Sequence, residues 1–129
     1  MQRFEIEGSN IVDIASFYAE INRVFMQQEN WLLGQTLDGF NDLLYGGFGR
    51  LKAGQAAVLV WKDIRSSKIA LGIETTRKYY QHKLAPESPF NKEHFKKALE
   101  ELDAGRGKTY FELIIEIINE HPNIQLMVT

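Results

Sequence analysis

Apolar and polar positions along the chain follow two periods, one of two residues and one of three to four. Arg3 to Glu7 reads R-F-E-I-E, with Phe4 and Ile6 on one side of a two-residue repeat, which predicts a short strand. Gly8-Ser9-Asn10 makes a turn, and Asp13 is placed to cap a helix. Ile14, Phe17, Tyr18, Ile21, Val24 and Phe25 then recur at helical spacing and form a core stripe. Gln27 to Gln35 is a linking loop. It carries Trp31, which either anchors a partner or folds under the loop.

The stretch from Thr36 to Gly47 is the most structured in pattern. Thr36 predicts an N-cap, Asp38 sits in the first turn where the helix dipole favours a carboxylate, and Gly46-Gly47 predicts the stop. Leu37, Phe40, Leu43 and Leu44 fall within an arc of roughly 120°. Asp38, Asn41, Asp42 and Tyr45 fall within an opposite arc of roughly 100°. One face is core; the other presents two carboxylates, an amide and a phenol. Such a face is ordinarily a solvated surface. Carboxylates at i and i+4 nevertheless repel by about 0.2–0.5 kcal/mol, so the pair invites a cationic partner.

Farther along, Ala56 to Trp61 is a continuous apolar run, as in a strand buried on both faces. Asp63 to Ala70 begins a short helix that Leu71-Gly72 breaks, and Thr75 to Leu84 reads as another. Asn91 is placed to cap Lys92 to Asp103, with Phe95, Leu99 and Leu102 inward. Thr109 and Glu112 fit a capping box for the helix Tyr110 to Glu120, whose polar stripe is Glu112, Glu116 and Glu120. Pro122 ends it, and Ile124 to Val128 is the last strand. Strands separated by helices imply right-handed parallel crossovers. The expectation is one α/β domain over residues 1–129: a three-stranded parallel sheet packed with helices.

The absence of cysteine removes disulfides, thiolate metal sites and cysteine nucleophiles. The first residues, M-Q-R-F-E-I-E-G, form no secretion signal, and no run reaches the ~20 apolar residues of a membrane span. A cytoplasmic protein with no membrane contact is expected. The net charge of −2 conceals an uneven distribution: −4 over residues 9–49, +6 over 50–109 and −3 over 110–129. If the two acidic blocks fold side by side, they make a negative surface suited to a basic protein and hostile to nucleic acid.

Other chemistry finds little support. Gly49 to Gly54 has the spacing of a phosphate loop, but Gln55 replaces its lysine and the glycines precede a strand. Gly107-Lys108-Thr109 ends like that motif, but Leu102 occupies its first glycine. His82, His94 and His121 lack ligand spacing and are read as surface or capping residues; no metal or cofactor is expected.

The run W31-x-x-G34-x-x-L37-D38-x-F40-N41-D42-x-L44-x-G46-G47 resembles the central loop and helix of the barstar family, protein inhibitors of barnase-type ribonucleases. Gly107 to Val128 resembles the closing helix and strand of that family, particularly in its larger bacterial members. The resemblance implies a compact α/β fold, here with an extra helical portion between about Lys68 and Gly107. It implies that Asp42 is the principal acidic plug of a nuclease site, with Asp38 its neighbour and Glu116 a contributing carboxylate. Gly34, Thr36, Leu37, Asn41, Tyr45 and Gly46 fall in the implied contact segment. The implied partner is a basic ribonuclease, the free inhibitor is a monomer, and no catalysis is expected. Asn41 replaces an aromatic residue, Gln35 an acid and Thr36 an amide, so the target differs from barnase or is another toxin nuclease. An acidic adaptor or immunity protein against another toxin, and a hydrolase using Asp38, Asp42 and Glu116, stand as alternatives.

Overall fold

The computed structural model describes residues 1–129. Strands β1 (Gln2–Glu7), β2 (Ala57–Lys62) and β3 (Ile124–Val128) form one parallel sheet in the order β1-β2-β3. Between them lie helices α1 (Ile14–Phe25), α2 (Leu37–Tyr45), α3 (Ile64–Ala70), α4 (Ile73–Lys83), α5 (Lys92–Asp103) and α6 (Tyr110–Asn119). The α/β expectation holds, with three parallel strands and six helices.

Register follows side-chain alternation. Phe4, Leu59 and Leu126 align across the sheet, as do Ile6, Trp61 and Val128. Phe4, Ile6, Leu59 and Trp61 are buried on the face that meets the helices. The intervening residues of β1 carry charge, and Lys62 Nζ lies 3.1 Å from Glu5 and 3.5 Å from Glu7. Phe17 of α1 ties the layers together, with its ring 5.5 Å from Phe40 of α2 and stacked 6.2 Å from Trp61 of β2. Trp61 in turn meets Phe111 of α6 at 5.7 Å. The two acidic blocks thus share one core, and α2 packs directly on α6.

Two helix starts differ from expectation. Helix α4 starts at Ile73, because Gly72 is extended there and the Thr76 hydroxyl donates to Gly72 O at 2.8 Å. The same hydroxyl accepts from the Tyr110 amide at 2.8 Å, which stitches α4 to the start of α6. Helix α3 starts at Ile64, after Asp63 takes a left-handed φ of 51° and makes no side-chain cap. Helix α5 packs chiefly against α4. No helix is long and apolar enough to cross a membrane.

Candidate functional site

Helix α2 is locked at both ends. At its start, Thr36 Oγ1 accepts from the Gly39 amide at 3.0 Å. At its end, Gly46 adopts φ 84° and its amide donates to Leu43 O at 3.0 Å. A Cβ on Gly46 would lie 2.4 Å from the Ala53 amide nitrogen, so close backbone packing as well as φ requires glycine. Phe40, Leu43 and Leu44 are fully buried and Leu37 is half-buried, which fixes the rotation of the helix.

That rotation turns Asp38, Asp42 and Tyr45 outward, with Asn41 half-buried between them. Neither Asp38 nor Asp42 has a lysine, arginine or histidine nitrogen within 4.0 Å. The two carboxylates therefore meet solvent without an internal counter-charge.

Asn41 is held from beneath by a residue that spacing did not single out. His121 is buried, not on the surface as expected, and its Nε2–H donates to Asn41 Oδ1 at 2.7 Å. Its ring packs against Tyr45 at 4.6 Å in an edge-to-face arrangement. Burial lowers the His121 pKa below its ordinary 6.5, with Glu120 pulling weakly the other way. The neutral ring is thus part of the support for two residues of the exposed face.

Glu116 is placed differently from the two aspartates. Lys108 Nζ lies 2.5 Å from its carboxylate, and both line a cavity of about 410 Å³ with Lys68 and Phe111. The opposite flank of α6 offers Leu113 to the Asp38 side. The structure therefore pairs the third candidate carboxylate instead of leaving it free.

The loop before α2 is anchored through Leu33. Its amide donates to Asn22 Oδ1 at 2.8 Å, and its carbonyl accepts from Asn22 Nδ2 at 3.3 Å. Trp31 keeps 43% of its surface exposed while its ring leans on Phe48 at 4.9 Å, so it folds only partly under the loop. Leu32 beside it is 75% exposed, an apolar contact that periodicity does not flag because it lies in a loop. Gly34 is exposed, and a Cβ there would meet nothing within 4 Å.

The inserted helices also reach this face. Asp38 and Leu37 share a cavity of about 310 Å³ with Tyr79 and Tyr80 of α4, His94 and Phe95 of α5, and Leu113. Burial raises the Tyr79 phenol, and the nearby Tyr80 and Asp38 add to the shift. No group of three or more His, Cys, Asp or Glu side chains is gathered as a metal would need. The arrangement offers fixed negative charge, one amide and exposed apolar rims, which is the chemistry of docking. No protein-family model matches the chain, and no curated protein matches it.

Proposed function

We propose that the protein is a cytoplasmic, barstar-like inhibitor of a ribonuclease, monomeric when free, which inserts the polar face of α2 into a basic nuclease site. The observation that carries this reading is the pair Asp38 and Asp42, exposed and without an internal cation, on a helix capped at both ends. A nuclease site gathers arginine, lysine and histidine around a phosphodiester. Carboxylates held one helical turn apart substitute for phosphate oxygens there and accept charge-assisted hydrogen bonds. The rigid helix means that little conformational freedom is lost on docking.

Asp42 takes the central position and Asp38 the position one turn earlier. Asn41 has its carbonyl oxygen committed to His121, which leaves its amide N–H groups as the donors it can offer a partner. Tyr45 at 64% exposure and Trp31 supply apolar edges that exclude water around the charges. Gly34, Thr36, Leu37 and Gly46 shape the backbone at the two ends of the contact. Glu116 brings a neutralised Lys108 pair to the flank instead of a third bare carboxylate. This pairing, with Asn41 tied to His121, favours a target nuclease other than barnase itself, including a toxin nuclease against which the protein would confer immunity.

The test is a titration of wild type and Asp42→Ala into a barnase-type ribonuclease cleaving a fluorescent RNA. Stoichiometric inhibition is expected from wild type. The variant is expected to bind more weakly by about 2–5 kcal/mol, the general range for truncating one partner of a desolvated charge pair, barnase–barstar included. Equal inhibition by both proteins would remove Asp42 from its role. Inhibition by neither would shift the reading to a different nuclease or to an acidic adaptor.

A further inference from the structure

A second surface lies on the other side of Tyr79, away from Asp38. There α1 and α4 border an open groove of about 660 Å³. Its α4 wall carries Lys78, His82 and Lys83, none of which has a carboxylate oxygen within 4.0 Å. Lys83 instead places its ammonium 5.1 Å from the Tyr79 ring and 3.7 Å from Phe90. The facing wall is mainly apolar, with Ile14, Ala15 and Val12, the last 69% exposed, and Gln35 beside them. Asp13 also lines the groove; its carboxylate accepts from the Ser16 amide at 2.8 Å and forms no ion pair with the lysines.

One wall cationic and one apolar is the complement of a protein segment that carries acidic and aliphatic side chains on alternate positions. An RNA fits less well. The two lysines make few phosphate contacts, and Tyr79, half-buried against Phe95 and Tyr110, offers no open stacking platform. We infer that the α1–α4 groove is a docking site for an acidic, apolar-bearing segment of a protein partner. This inference does not depend on the ribonuclease reading, since none of the groove's cations lies on α2.

The experiment uses a short fluorescent peptide alternating glutamate with leucine, titrated into the full chain and followed by anisotropy. Lysine-for-glutamate peptide and an oligouridylate serve as comparison probes. Saturable binding of the acidic peptide is expected, weakened about tenfold or more by Lys78→Glu combined with Lys83→Glu. Val12→Asp should weaken it as well, while Asp42→Ala leaves it unchanged. Amide chemical shifts should move at Val12, Lys78 and His82. Absence of saturable binding, indifference to the groove variants, or tighter binding of either comparison probe would each overturn the inference. Inhibition of ribonuclease is read separately, so the two proposals fail independently.

Discussion

His121 shows how one side chain links stability to the candidate site. Its imidazole is buried against α2, and its pKa is lowered because burial disfavours the cation. The unfolded chain therefore binds a proton more readily than the folded one below the ordinary value of 6.5. The stability from this group is complete above that pH and declines as pH falls below it toward the lowered folded value. Urea unfolding of wild type from about pH 5 to about pH 8 should show the slope, and His121→Gln should flatten it. A slope unchanged in the variant would assign the effect to other groups. His121→Ala should also cost about 1–3 kcal/mol, because Asn41 loses its buried partner. Nothing in the local sequence announces this role. The bond joins residues 80 positions apart, and spacing rules reach only a turn or two along a helix.

At the scale of elements, α2 is a helix of nine residues, short enough to need its caps. Thr36→Ala removes the oxygen that accepts from Gly39 and should cost about 1 kcal/mol in chemical denaturation. Gly46→Ala should cost more, at least about 2 kcal/mol, since it adds a left-handed φ penalty to a backbone clash with Ala53. A Gly46→Ala protein as stable as Thr36→Ala would contradict the close packing described here. These features, with the Thr109–Glu112 capping box and the apolar arcs of α1 and α6, were legible because each is decided within one turn of chain. The seating of α4 and α5 beside Asp38 was not. Periodicity in Lys92 to Asp103 reveals an apolar stripe, but not the element that the stripe will meet. Trp31 falls between the two cases, since a loop has no period to orient it.

At the scale of the molecule, the uneven charge of the sequence becomes a spatial division. The acidic blocks meet where α2 packs on α6, while the basic insertion stands along their border. A partner with a basic site is drawn toward one side and turned by the other. Under the proposed function, association with a basic ribonuclease should therefore slow as ionic strength rises, while dissociation changes little. Stopped-flow measurements over a salt series separate the two rates. An association rate independent of salt would argue against electrostatic steering by this face.

The bond from His121 to Asn41 also imposes an order in time. A ribosome adding about 5–20 residues per second needs about 4–16 s to travel from one partner to the other. Throughout that interval the nascent chain already carries Asp38 and Asp42, yet lacks both the imidazole under Asn41 and the third strand beside β2. A half-made chain thus displays the charges without their scaffold. Its acidic helix gains this buried support only when the last helix and strand have arrived, so the delay is written into the topology.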